Sequence, residues 1–275
     1  MAEFFSALTN PDLPFLRYGL ISGILASIPF GIIGSYVVVR RISYIAGAIS
    51  HCVLAGIGCG LYIHHGLGIN WFGPLHGAII VALLAAVILS IISRNSSERQ
   101  DSVIGAIWAV GMAIGLLFIA KTPGYLDPMS YLFGNILLVT RSDLTLVLCL
   151  DILILAVVGR FYNQFLAISF DEEYAELRGV SVGWYNLLLL CLTALTIVLL
   201  VRVVGIVMVI ALLTLPAAIG AHFSTSLRRI MVIAIFCCMG FVTIGLGISY
   251  NYDLPSGPVI IILAGLGYFG SLLKK

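Results

Sequence analysis

The stretch F-L-A-I-S-F-D-E-E-Y-A-E-L-R-G-V-S-V-G, Phe165 to Gly183, decides how the rest of the chain is read. The protein is 61% hydrophobic, yet four of its twelve acidic residues fall between Asp171 and Glu176. Ser169 and Glu172 have the spacing of a capping box. Asp171 and Glu172 suit the positive end of a helix dipole and Arg178 the negative end. Gly179 stands where a C-terminal glycine cap belongs. A helix over about 169–179 places Phe170, Tyr174 and Leu177 on one face and leaves the acids on the other. From Phe170 to Arg178 it is roughly 13 Å long, too short to span a bilayer. The pattern predicts a docking helix held at a membrane surface between two apolar spans.

Only 9% of the 275 residues are charged, and the mean hydropathy is +1.15. A water-soluble domain could not keep its surface wet with so few. The composition predicts an all-α integral membrane protein, because helices satisfy their own backbone in lipid. A net charge of +2 with no basic cluster gives no reason to expect nucleic acid. The six cysteines, Cys52, Cys59, Cys149, Cys191, Cys237 and Cys238, lie in apolar runs, where cysteine acts as a small hydrophobe. No CxxC metal pattern occurs. The N-terminus has no basic region before its first apolar run, so no removed signal peptide is expected.

Apolar runs predict about nine (eight to nine) spans in one transmembrane domain covering residues 1–275. They fall near Phe15–Val39, Tyr44–Ile63, Leu75–Ile92, Val103–Ala120, Leu144–Val158, Trp184–Val201, Val204–Ala221, a run from after Arg229 to Ile248, and a last one ending at Lys274 and Lys275. Tyr131–Val139 is too short to cross and reads as a re-entrant or interfacial helix. Spans six and seven are separated only at Arg202–Val203. An outside N-terminus puts ten of the fourteen basic residues on the cytoplasmic side: Arg40, Arg41, Arg94, Arg99, Arg160, Arg178, Arg228, Arg229, Lys274 and Lys275. Arg17, Lys121, Arg141 and Arg202 remain outside. The docking helix is then cytoplasmic.

The run S-F-D-E-E-Y-A-E-L-R-G-V-S-V-G resembles the cytoplasmic coupling helix of permease subunits in ATP-binding-cassette (ABC) importers of zinc, manganese and ferrous iron. Further matching stretches are R-R-I-S-Y-I-A-G-A-I-S-H-C-V-L-A-G-I-G (Arg40–Gly58), V-V-G-I-V-M-V-I-A-L-L-T-L-P-A-A-I-G-A (Val203–Ala221) and Y-L-F-G-N-I-L-L-V (Tyr131–Val139). They keep the family's order and cover nearly the whole chain. The resemblance implies a multi-pass protein of the bacterial plasma (inner) membrane working as a homodimer. Its partners would be cytoplasmic ABC ATPase subunits and an extracytoplasmic metal-binding protein. Phe170, Asp171, Glu173, Tyr174, Ala175 and Gly179 are the residues it assigns to ATPase coupling. The chain itself is expected to be no enzyme and to hold no permanent cofactor, the metal being cargo. In agreement, it has no GxxxxGK[ST] phosphate loop.

His51 is the leading metal candidate, since an ionisable group deep in a span is costly without a function. Imidazole suits zinc, iron and manganese in differing degrees; the other open reading is a histidine bonded to a neighbouring helix carbonyl. In the resembling family an aspartate stands four residues before this histidine, one helical turn away. This chain has Gly47 there, which removes a hard oxygen ligand. Asp151, the one acid deep in any span, is the second candidate. Metal, Arg202 and a protonated, hydrogen-bonded state are its three open partners. His64, His65 and His76 flank an external loop and read either as a metal relay or as ordinary loop residues. His222 reads as a helix-end residue or a lining of the exit. Pro216 breaks span seven, with Thr214 placed to satisfy a group it frees, and reads as a plain kink or as a wall of the pathway.

Rival functions fit less well. An intramembrane enzyme would show a motif such as HExxH or GxSxG, and neither occurs. An ion-driven secondary transporter would need several intramembrane acids and no docking helix. A permease for a metal chelate or vitamin would usually have a longer chain and no use for His51.

Overall fold

A chain this apolar must bond its own backbone, and the computed structural model of the protein is helical in every regular element among its described residues. The structure describes residues 4, 7–8, 14–95, 100–123, 128–134, 136 and 139–273. Met1, Arg99, Lys274 and Lys275, used above for orientation, lie outside the described residues. In order the helices are α1 (Pro14–Val39), α2 (Ser43–Leu61, prolonged by a π-helical turn, Tyr62–Gly66), α3 (Pro74–Asn95) and α4 (Gln100–Lys121). The short α5 (Pro128–Phe133) precedes α6 (Arg141–Arg160), α7 (Tyr162–Phe170) and α8 (Glu172–Leu177). Last come α9 (Val182–Val204), α10 (Ile206–Phe223), α11 (Leu227–Tyr252) and α12 (Ser256–Leu272).

Among the described residues, eight helices are long and apolar enough to cross a membrane: α1 to α4, α6, and α9 to α11. The ninth expected span is α12, an apolar helix of 17 residues. At 1.5 Å per residue it reaches about 26 Å, slightly less than a hydrocarbon core of roughly 30 Å. The break between spans six and seven lies at Gly205 alone rather than at Arg202–Val203. Gly205 has φ +82, and a Cβ there would sit 2.3 Å from the Gly134 nitrogen, so no other residue fits. In the apolar run from Tyr131, α5 ends at Phe133, where Gly134 turns the chain at φ +62.

Hydroxyls buried in the spans bond their own helices. Ser27 donates to the Gly23 carbonyl at 2.7 Å, Ser35 to Gly31 at 2.6 Å and Thr193 to Leu189 at 2.8 Å, each four residues back. Where no water reaches, this is how a serine or threonine stays satisfied.

The chain forms two compact units. The first comprises Met1–Val39, Leu132–Val157 and Leu199–Lys275, with α1, α10, α11 and α12 packed together. Among its described glycines the closest approach is Gly34 of α1 to the Leu213 carbonyl of α10, which an added Cβ would meet at 2.0 Å. The second unit comprises Arg40–Tyr131 and Val158–Val198. There α2 packs on both α3 and α4, again through small residues that let backbones meet.

Candidate functional site

The docking segment differs locally from expectation. Ser169 does not cap the helix: its hydroxyl donates back to the Phe165 carbonyl at 2.6 Å and belongs to α7. Asp171 is the cap, extended at φ −155, with its carboxylate accepting the Tyr174 backbone N–H at 2.9 Å. A carboxylate in that role adds the dipole attraction a serine lacks, and Glu172 is thereby free for another partner. Phe170 ends α7 and lies before the cap. At the other end Gly179 adopts φ +79, and the Gly179 and Val180 N–H groups close the helix on Glu176 and Ala175 carbonyls at 2.9 and 3.0 Å. Arg178 reaches back to the Tyr174 hydroxyl at 2.6 and 2.9 Å rather than to the end of the helix.

This segment exposes apolar surface. Phe170 is 64% exposed, Tyr174 51% and Leu177 88%. Glu173 is exposed beside them, whereas Ala175 turns inward and is buried. Phe170, Tyr174 and Leu177 together leave an uncovered apolar group beside a capped helix.

Sequence reading missed what holds the helix. The side chain of Arg40, 6% exposed, pairs with Glu172 and also donates to the Asn186 side-chain oxygen at 2.9 Å. Burial holds its guanidinium below the ordinary arginine pKa, and Glu172 pulls it back up. One residue thus ties α8 to α9 and to the start of α2. Phe161 and Phe165 brace α7 against Tyr185 of α9, with ring centroids 5.7 and 6.1 Å away.

His51 lies in α2, half-buried, with Nδ1 buried and without a hydrogen-bond partner. The expected alternative, a bond to a neighbouring carbonyl, is not made at that nitrogen. What orients the ring is Trp108 of α4, stacked on it with centroids 4.4 Å apart and planes 20° from parallel. The same indole covers Gly47, whose absent Cβ would lie 3.0 Å from it. Nothing in the sequence around Trp108 points to this role; the signal, in hindsight, is a glycine one turn before a lone intramembrane histidine.

Asp151 lies in the other unit, on the buried stripe of α6 with Val147, Leu150 and Ile154. It is 3% exposed, and neither carboxylate oxygen has a hydrogen-bond partner. Arg202, one of its three expected partners, instead pairs with Asp143 at 3.0 Å. Asp143 is also engaged in capping α6, accepting from the Thr140 backbone and hydroxyl at 3.0 and 2.7 Å. Pro216 sits inside a continuous α10, buried. The carbonyl it frees is that of Leu212, but Thr214 donates to Ile210 at 2.8 Å, so the expected compensation is not made.

His64 and His65 fall in the π-helical turn after α2 with their rings 4.7 Å apart, edge to face. His76 accepts the Gly73 N–H at 3.3 Å. His222 is exposed, with its ring 6.4 Å from that of Tyr268. Among the described residues no group of three or more His, Cys, Asp or Glu side chains converges as a metal-ligand set.

The profile of the ABC 3 transport family matches residues 12–275. A Chlamydia pneumoniae protein named "Probable metal transport system membrane protein" is 43% identical over 273 residues, 98% of this chain and 93% of its own length. The Streptococcus gordonii manganese import system permease protein ScaB is 32% identical over 93% of this chain and 89% of its own. Among solved structures, PsaBC from Streptococcus pneumoniae in complex with Fab superposes with a TM-score of 0.85 at 31% identity, covering 98% of this chain and 95% of that one.

Proposed function

The chain belongs to the ABC 3 transport family, and on that footing we propose that it is the permease subunit of an ABC importer that carries a divalent transition metal ion into the cytoplasm. It is a multi-pass protein of the bacterial inner membrane. Relatives named as metal and manganese transport proteins along nearly their whole length support the cargo class. Zinc, manganese and ferrous iron are the metals within that class.

One observation carries the reading beyond the family: a capped six-residue helix, clamped by a buried arginine, that presents bare Tyr174 and Leu177 beside Phe170. Such a surface is built to enter a cleft on another protein, and the partner of this reading is the ATPase subunit. Two permease copies, two ATPase subunits and an extracytoplasmic metal-binding protein complete the transporter, and residues 1–275 act as one permease domain. The chain hydrolyses nothing itself. Its task is to offer the metal a passing ligand and to convert movement of the docking helix into movement of the spans. His51 is the ligand, because neutral imidazole binds without a formal charge to desolvate. Asp151, buried with no hydrogen-bond partner, is the second candidate contact for the metal, and Pro216 is read as the wall of a pathway.

The test is reconstitution of the permease in vesicles with its ATPase and binding protein, followed by uptake of radiolabelled zinc, manganese and ferrous iron. ATP-dependent uptake of at least one of them is expected. Uptake of none, in a complex that assembles and hydrolyses ATP, would overturn the proposal.

A further inference from the structure

Gly47 and His51 stand one turn apart on α2, and one side chain from another helix covers both. The Trp108 ring lies where a side chain at 47 would begin: an ideal Cβ there meets Cζ3 at 3.0 Å and Cη2 at 3.3 Å. The same ring stacks on the His51 imidazole at 4.4 Å. The indole is itself held. Tyr44, in the first turn of α2, packs against it with centroids 5.8 Å apart. Its backbone is pinned at the preceding residue, where the Ile107 carbonyl accepts the Cys52 thiol at 3.3 Å. Three residues on, Gly111 lets α4 approach so closely that an added Cβ would meet the Cys52 sulfur at 2.7 Å. Tyr44 and His51 thus flank the ring, beside a backbone that packs tightly on α2.

From this geometry we infer that Trp108 sets the metal preference of the His51 site, occupying the ligand position beside Gly47 and stacking on the imidazole so that zinc or ferrous iron passes ahead of manganese. The inference rests on the permease reading above and narrows it. Its chemistry is direct. Manganese favours carboxylate, carbonyl and water oxygens, while imidazole suits zinc and iron. At this site position 47 offers no oxygen, and the indole stands 3.0 Å from where a side chain there would begin. The Cys52 thiol is spent on a backbone carbonyl. The usual orienting hydrogen bond to a metal-binding imidazole is absent at Nδ1, and the stacked indole takes over that task. A single oriented nitrogen with an aromatic backing is what remains.

The test compares zinc and manganese in wild type, W108F, W108A, G47D and the double variant G47D/W108A. Vesicle uptake with both ions in competition is measured beside titration of the purified chain with zinc or manganese chloride. Wild type should favour zinc, and W108F, which keeps a stacking ring, should hold that preference. W108A should weaken zinc binding by roughly tenfold, the size of effect expected when a ligand loses its orienting neighbour. G47D alone meets the indole and should gain no manganese binding, whereas G47D/W108A, with room for the carboxylate, should shift the ratio toward manganese. An unchanged ratio in W108A, a wild type that prefers manganese, or G47D matching the double variant would each overturn the inference. Titration decides this even where vesicles take up no metal, and that failure counts against the permease reading instead.

Discussion

Removing either end of the Arg40–Glu172 pair should loosen the docking helix, and by unequal amounts. Glu172 is about half exposed, so in E172Q water replaces much of what the carboxylate supplied, and Arg40 keeps Asn186. The cost should be about 1 kcal/mol, near the upper end for exposed pairs and the lower end for hydrogen bonds to a charge. Arg40 is different, because R40M strands the Asn186 oxygen, on a residue only 8% exposed, as well as Glu172. An unsatisfied buried acceptor adds ~1–3 kcal/mol, so R40M should cost about 2–3 kcal/mol in all. If docking requires the anchored helix, these costs appear as weaker ATPase binding: about fivefold for E172Q and roughly thirtyfold or more for R40M. The assay is affinity of the ATPase subunit for the permease in nanodiscs, with metal-stimulated ATP hydrolysis alongside. The double variant should show a coupling of about 1 kcal/mol between the two sites. Additive effects, or wild-type affinity and stimulation in R40M, would refute the strut and with it the route by which α8 is held.

H51A should abolish most metal uptake while the complex still assembles, and normal uptake of every metal tested would make the histidine structural. L177D should spare membrane insertion but prevent ATPase docking, because it places a charge on a leucine that is 88% exposed for a partner; binding assays on detergent-purified complex decide it. G179V should destabilise the end of α8 by about 1–2 kcal/mol through backbone strain alone, since nothing lies within 4 Å of its Cβ to clash; reduced stimulation with intact thermal stability of the spans is the expected pattern. A cysteine at Glu176 should react with a membrane-impermeant reagent from the cytoplasmic side only, and labelling from outside would reverse the orientation.

What the sequence made legible was whatever a single segment decides for itself. Long apolar runs have one outcome in lipid, so α1 to α4 and α6 follow their predicted limits within a few residues. Gly179 was readable because a positive φ after an acidic helix has a local cause. Where two candidates competed locally the reading failed: Ser169 and Asp171 can both cap, and the carboxylate won. Arg202 meets Asp143 and not Asp151, eight residues further along α6, and residue type says nothing about which acid is in reach. Arg40 and Trp108 were invisible for the same reason. Arg40 counts in a sequence as one more cytoplasmic charge, and Trp108 as one more apolar residue in a span. Their roles exist only once Glu172, Asn186, Gly47 and His51 are brought to them from other helices.

These tertiary contacts share one consequence. Arg40 is clamped to the docking helix through Glu172, and three residues later α2 begins at Ser43. His51 follows eight residues into that helix, about 12 Å along its axis. The docking helix, the arginine, the histidine and its covering indole all belong to the same compact unit. A push on α8 reaches Arg40 through Glu172, and only the turn at Arg41 and Ile42 separates that arginine from the helix that carries His51. The glycines that bring α4 against α2 belong to the same arrangement, since they let the two backbones meet beside the ring that stacks on His51. A variant that frees Trp108 should change which metal passes, and one that frees Arg40 should change how much ATP hydrolysis is spent on passing it.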